Sequence, residues 1–511
     1  MDGTGYLREL LSYLRRRPEQ PVVADVVGQD KRGLQCYKQL VDAEPSYSLS
    51  IEIPEDILCD IVSHLTLREV ARASVLSRSW RHAWRCFPYL TFSHSILPME
   101  DMDNHIRAMC QRENNYTVKE QSERFIHTVN KILQYHSGFG VKTLKIEFDL
   151  HREHQAHIDQ WVRFAVDSKA RDVILDLRPL SPSTTEDPYI FPCYLFTDKQ
   201  QPCIEVLRLN FCSFKPPLDF PSFNNLKTLD LRSVDIIEAD VDSLVSNCAC
   251  LEHLRLEKCD ELINLVASHP LHCLKSLVVR DCRSLERIEL DTIDLTYFEF
   301  NGSMIDIKLG ASPRVVDAWI GIHSPVIVLR LLSELADMLP HLQKLCLHLS
   351  STENEMLSMS ANHNMFMYLR DLDLRILHWK NLHMRDLLLL GHILDLAPVM
   401  QKFNLNLHEK QPDDVLSPLI KQLHTSLHSE LKEVVITGFS GEYQYISLAA
   451  HFLFNATSLQ TMEITPRYKP TQRGENLLIH RDVHYRTIYI SAYAQSALRS
   501  FAPPHVKLLV R

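Results

Sequence analysis

The chain has 511 residues, too many for one ordinary compact core and enough for two to four units or one elongated repeat body. A hydrophobic fraction of 45% excludes wholesale disorder, and a net charge of -9 argues against a general binder of nucleic-acid backbones, which needs clustered Lys and Arg. No apolar run approaches the roughly 20 residues of a membrane span, since Gly391 and His392 interrupt the one beginning at Leu387.

Residues 1–47 read as a leader without a signal-peptide core. Its segment Tyr6–Leu14, followed by Arg15, Arg16 and Arg17, predicts a solvated basic helix. Pro45 and a loss of apolar periodicity mark a boundary near residue 47. A helical unit follows over residues 48–92. Pro54 suits the first turn of a helix, and Ile57, Leu58, Ile61, Val62 and Leu65 form one apolar stripe. Thr66-Leu67-Arg68-Glu69 is a capping box that starts a second helix. Val75, Leu76, Trp80 and Trp84 supply a third stripe, and Pro88 marks the exit. Residues 93–139 read as a connecting helical region.

From residue 140 to about 424 the chain is repetitive. The pattern apolar-x-x-apolar-x-apolar recurs as Ile204/Leu207/Leu209, Leu226/Leu229/Leu231, Leu251/Leu254/Leu256, Leu274/Leu277/Val279 and Leu295/Phe298/Phe300. It resumes as Leu342/Leu345/Leu347, Leu369/Leu372/Leu374 and Met400/Phe403/Leu405. First members are 22, 25, 23 and 21 residues apart, then 47, then 27 and 31. The gap of 47 predicts one degenerate repeat near Val315 to Ile320. Repeats of roughly 20–29 residues with this signature are leucine-rich repeats, each a strand plus a return segment that buries its apolar face only by stacking on its neighbours. Strands at Leu144–Ile146 and Val173–Leu177 begin the stack, with a helix from Ile158 to Val166 between them. Further helical returns are expected at Leu331–Leu339 and Leu387–Leu396.

The 13 cysteines are odd in number and contain no CxxC pair, which implies free thiols and a reducing compartment, cytoplasm and/or nucleus. Cys212, Cys259 and Cys282 each lie three residues after the last strand position of their repeat, where the repeat consensus places Asn or Cys, so they read as structural. His151, His154 and His157 could approach a zinc site, but without a completing ligand they read as surface histidines on a polar helix. The Arg72–Arg85 stretch, with Trp80 and Trp84 four apart, has packing geometry rather than a nucleic-acid signature. No Walker loop, HExxH, GxSxG or kinase set occurs, so no cofactor, metal or catalytic residue is assigned. Arg208, Lys227, Asp230, His253, Arg255, Lys275 and Glu299 would line the strand face of the stack, each read as solvated.

The run Ile53-Pro54-Glu55-Asp56-Ile57-Leu58, then Ile61 and Leu65, then Ala73 to Trp84, resembles the plant F-box, with Thr66 standing where that family usually has Pro. Ile158 to Val166 is similar to the opening of the repeat body in plant F-box/leucine-rich-repeat proteins. Leu431–Gly441, Leu448-Ala449 and Asn455–Met462 look like the FBD module at the end of many of them, here spanning residues 425–511. The resemblance implies an α/β solenoid, a leucine-rich-repeat horseshoe, preceded by a small three-helix F-box and ending in an FBD-like α/β module. It implies docking on a Skp-type adaptor, and through it a cullin, by Ile53, Pro54, Ile57, Leu58, Ile61, Val75, Leu76 and Trp80. The expected role is the substrate-recognition adaptor of an SCF-type ubiquitin ligase with an unknown target protein, no nucleic acid, no membrane and no catalysis of its own. The alternatives are a non-ligase repeat scaffold with a vestigial F-box and a small-ligand receptor.

Overall fold

The computed structural model describes residues 55–65, 69–70, 80, 84–96, 115–179, 187–196, 203–217, 220, 223–246, 248–310, 314–324, 326–351, 364–378, 390–407, 427–439, 443–465 and 483–511. The leader, residues 66–68 of the capping box, Val75, Leu76 and residues 387–389 of an expected helix lie outside them. The described residues form two compact units. One runs to Leu195 and takes in Cys203 and Ile204; the other holds Phe196 and the residues from Glu205 to Arg511. No helix among the described residues is long and apolar enough to cross a membrane.

The first unit contains α1 (Glu55–Ser63), β1 (Tyr89–Ser93), α2 (Asn115–Tyr135), β2 (Thr143–Glu147), α3 (Gln155–Asp167), β3 (Asp172–Asp176) and the short β4 (Tyr189–Ile190). Strands β1, β2 and β3 are parallel neighbours, with Leu90 opposite Leu144 and Leu144 opposite Val173. Alternation puts Leu90, Phe92, Leu144, Ile146, Val173 and Leu175 on one buried face. The stack thus starts earlier than expected, since the end of the 48–92 segment supplies its first strand. The signal is only Leu90 and Phe92 after Pro88, too short to outweigh the helical reading. Helices α2 and α3 pack together: Phe125 stacks on Phe148 with centroids 4.0 Å apart, and Trp161 meets Phe125 edge-on. The Trp161 indole donates to Asn130 Oδ1 at 2.7 Å, so its polar atom stays paired inside this core.

The second unit is a ladder of twelve parallel strands among the described residues. In spatial order these are β5 (Val206–Ser213), β6 (Thr228–Asp235), β7 (His253–Glu257), β9 (Ser276–Arg280), β11 (Tyr297–Gly302), β13 (Asp317–Ile322), β14 (Lys344–Ser351), β15 (Asp371–His378), β16 (Lys402–Leu407), β17 (Glu433–Thr437), β18 (Thr461–Thr465) and β19 (Lys507–Val510). Every expected repeat triplet enters or lies in one of these strands with all three members buried. The degenerate repeat is present as β13, with Val315, Ala318 and Ile320 buried and pairing to β11 and β14. Register is strict: Leu207, Leu229, Leu254, Leu277, Phe298, Ala318, Leu345, Leu372, Phe403, Val434 and Met462 stand opposite one another in turn.

Return segments follow repeat length. The repeats opened by Leu251, Leu274 and Leu295 return through three short strands, β8 (Asn264–Val266), β10 (Arg287–Glu289) and β12 (Asp306–Lys308), which pair as a second parallel sheet. Longer repeats return through helices: α4 (Glu238–Ser246), α5 (Val328–Met338), α6 (Ile393–Leu396), α7 (Tyr443–Asn455) and α8 (Val483–Arg499). A helix advances about 1.5 Å per residue and a strand about 3.3 Å, so spanning one return takes more residues as helix. Beyond the strand expected at Met462, α8 and β19 add one more repeat that short apolar runs did not announce.

Each early strand ends in a tight bend. Phe211, Ser233, Lys258 and Asp281 have φ between 47° and 59°, each two residues after the last inward strand position. Gly438, at the same position after Ile436, has φ 81°. The next residue turns inward and is buried: Cys212, Val234, Cys259, Cys282 and Phe439. The cysteines at this bend are therefore packed in the core, as expected. Burial pushes the Cys248 thiol up to about 12 as well, while its Sγ bonds to Leu244 O at 2.9 Å.

Candidate functional site: an exposed helix face and a charged strand face

In α1 the apolar stripe divides in two. Leu58 and Val62 are buried, together with Val70, Trp84 and Phe87. Ile57 is 49% exposed and Ile61 36% exposed, one turn apart on the same helix face. Leu58 is therefore local core, packed inside this chain rather than offered at its surface. Helical geometry explains this: Leu58 lies about 100° around the helix from Ile57. Trp80 is half-buried; Ile53, Pro54, Val75 and Leu76 lie outside the described residues.

On the ladder, residues alternating with the buried leucines carry a second pattern. The triplet Asp-Leu-Arg occurs there at Asp230-Leu231-Arg232 and Asp373-Leu374-Arg375, and separately in the first unit at Asp176-Leu177-Arg178. Period-two geometry turns both charges to one side, and each Arg grips its Asp bidentately. Arg232 Nε and Nη2 lie 2.9 and 2.8 Å from the two Asp230 oxygens. Arg178 holds Asp176 at 2.9 and 2.8 Å. Arg375 holds Asp373, which also accepts from Asn406 Nδ2 at 3.0 Å. Glu299 is built differently: Arg280 Nε donates at 2.6 Å and the Tyr297 hydroxyl at 2.8 Å.

Asp230 and Glu299, read from sequence as solvated, are 6% and 1% exposed. The arginines reaching over them replace water as partner, which is the condition under which a buried carboxylate is tolerated. Spacing of two within a strand was the available signal. Arg208 and His253 are exposed on the same face and Arg255 is half-buried. Lys227 and Lys275 are not on it. They precede β6 and β9 and bridge to Glu205 and Glu252 at 2.9 and 2.6 Å, linking neighbouring repeats. Trp319 and His348 meet edge-on near the middle of the ladder. The face thus offers fixed guanidinium forks, amides and one indole, donors and acceptors suited to recognition.

The histidine cluster is only partly a surface feature: His157 is exposed on α3 as expected, His154 is half-buried and His151 is buried. His151 precedes α3 and is buried with Asp149, its Nε2 2.8 Å from Oδ1. The His151 backbone N–H donates to His154 Nδ1, and His157 bonds to Asn130. Burial lowers the pKa of His154. These contacts tie the entrance of α3 to α2 and the end of β2. No group of three or more His, Cys, Asp or Glu side chains among the described residues is placed to hold a metal.

Comparison with known proteins covers most of the chain. Residues 132–500 match the family described as At1g61320/AtMIF1, LRR domain, and residues 51–91 match the F-box domain. The chain is similar to the F-box/FBD/LRR-repeat protein At1g13570 of Arabidopsis thaliana, 24% identical over 266 residues, 52% of this chain and 51% of that one. It is 28% identical over 236 residues to the F-box/FBD/LRR-repeat protein At3g52680, covering 45% of each. It is 25% identical over 311 residues to the F-box/LRR-repeat protein At3g26922, 59% of this chain and 90% of that one, all from the same plant. The match spans about half the length of the first two relatives. With an F-box segment ahead of a parallel ladder of leucine-rich repeats, the chain belongs to the F-box/leucine-rich-repeat family.

Proposed function

We propose that the chain is the substrate-recognition adaptor of an SCF-type ubiquitin ligase. Its F-box docks on a Skp-type adaptor and thereby on a cullin, while the repeats bind a target protein. Ubiquitin transfer takes place on other subunits, and the chain contributes proximity. The observation that carries this reading is the pair Ile57 and Ile61. They stay exposed on one helix face while Leu58 and Val62 fill the core beneath. An apolar helix face left open this way calls for a partner groove. Ile53, Pro54, Val75, Leu76 and Trp80 extend the docking set, and Leu58 supports it from inside.

In this reading residues 425–511 are the FBD module. The Asp-Leu-Arg face is the surface offered to the target, and the chain works in the cytoplasm and/or nucleus.

The test is capture of a Skp-type adaptor by the full chain. Ile57→Asp with Ile61→Asp abolishes capture while thermal unfolding stays within a few degrees of the parent. Capture that survives this double change refutes the docking assignment. Leu58→Asp is unsuitable for this purpose, because it places a charge in the core.

A further inference from the structure

Repeats β7 and β9 carry two pairs of cysteines in register, one buried and one exposed. The buried pair is Cys259 and Cys282, at the bend that ends each strand. Cys282 beside it, together with burial, holds the Cys259 thiol well above its ordinary range, and Cys259 Sγ donates to Leu231 O. The exposed pair is Cys250 and Cys273, each three residues before its strand.

The geometry that brings Cys250 beside Cys273 is a repeated turn. Leu251 N–H donates to Cys248 O, and Leu274 N–H donates to Leu271 O, closing the same four-residue turn in each repeat. Both turns have buried first and last residues, with the two between them exposed. Register is kept between turn and strand: the N–H groups of Lys275 and Ser276 both reach Glu252 O, and His253 then stands opposite Ser276. Equivalent residues of neighbouring repeats are about one strand spacing apart, ~4.8 Å. That lies inside the roughly 4.4–6.8 Å range between Cα atoms of bridged cysteines. Lys275 adds a cation on the same edge, bridging back to Glu252.

We propose that Cys250 and Cys273 are an oxidisable surface dithiol that forms a reversible disulfide between two neighbouring repeats. With a hydroperoxide as oxidant, one thiolate attacks a peroxide oxygen. The O–O bond breaks, leaving a sulfenic acid and one molecule of water or alcohol. The second thiolate attacks that sulfur, the S–S bond forms, and hydroxide leaves to take up a proton as water. Two thiols lose two electrons and the peroxide gains them. The bridge staples the entry turns of β7 and β9, and a dithiol reductant removes it. Cys259 and Cys282 in the same two repeats stay reduced, because both are buried in the core, out of reach of the oxidant.

The test uses the full chain, reduced, exposed to hydrogen peroxide under native conditions, alkylated and digested. The expected product is a peptide joining Cys250 to Cys273, two hydrogen masses below the sum of its parts and lost on treatment with dithiothreitol. Cys250→Ser and Cys273→Ser each abolish that peptide, whereas Cys248→Ser and Cys203→Ser leave it. The oxidised parent unfolds at a higher temperature than the reduced parent, and neither serine variant shows that rise. Recovery of Cys250 and Cys273 as separate peptides overturns the proposal. So does a bridge from either one to a different cysteine or to a second copy of the chain.

Discussion

At the bend after each strand a single residue carries a left-handed backbone. Four of these positions, Phe211, Ser233, Lys258 and Asp281, hold residues with a Cβ, at a cost of about 1 kcal/mol each. Gly438 differs because its backbone lies against the carbonyl of Leu407, where an added Cβ would collide with the Leu407 oxygen. Gly438→Ala is therefore expected to destabilise the chain by about 2 kcal/mol or more in denaturant titration. Lys258→Gly should stay within ~1 kcal/mol of the parent, since relief at the bend is offset by a freer unfolded chain. The carboxylates on the strand face give a second residue-scale test. Glu299→Ala removes the partner of Arg280 and Tyr297 and leaves a small void. It should cost about 1–3 kcal/mol, read from the same titrations. Glu299→Gln should cost less, because an amide still accepts from one donor.

Elements follow from how many residues each repeat has to spend. Where repeats are short, extended returns pair into a second sheet; where they are longer, a helix covers the strand. α1 shows the complementary case, in which a single stripe serves two purposes. Leu58→Ala should cost about 2–4 kcal/mol, the ordinary loss for a buried leucine, and be visible in the thermal midpoint. Ile57→Ala should leave that midpoint nearly unchanged and weaken adaptor capture instead. If both substitutions were to shift the midpoint equally, the division of the helix into an inner and an outer face would be mistaken.

Across the whole molecule, buried histidines with depressed pKa values make part of the stability depend on pH. Burial lowers the pKa of His451 to about 4, with the charge of His392 acting in the same direction. Burial also lowers that of His136, whose ring spans Phe87 O and the Gly138 N–H. For both, the unfolded chain takes up protons near the ordinary histidine pKa of about 6.5 while the folded chain does not. Their contribution is therefore fully present above that value and is lost as pH falls through the depressed folded-state values, for His451 toward about 4. Thermal midpoints measured from pH 7 to pH 4 should fall, and His451→Gln should flatten that slope. A midpoint independent of pH over this window would count against the neutral, buried state of these rings.

Period and spacing in the amino-acid chain were enough for the repeat architecture, including the degenerate strand at Val315–Ile320. A buried triplet repeated every 20 to 31 residues has few ways to satisfy itself other than stacking. The cysteines at the bend were legible for the same reason, as small residues at one fixed place in the period. Spacing could not say which side of a stripe faces inward, so Leu58 and Ile57 looked alike until α1 packed against the chain around Trp84. Nor could it say that Asp230 and Glu299 are buried, because that depends on arginines folding over them from their own strand or the neighbouring one. His151 likewise took its place inside only through Asp149, which β2 delivers. Local pattern reports which residues repel water, while burial of a charge depends on partners that the folded chain alone brings within reach.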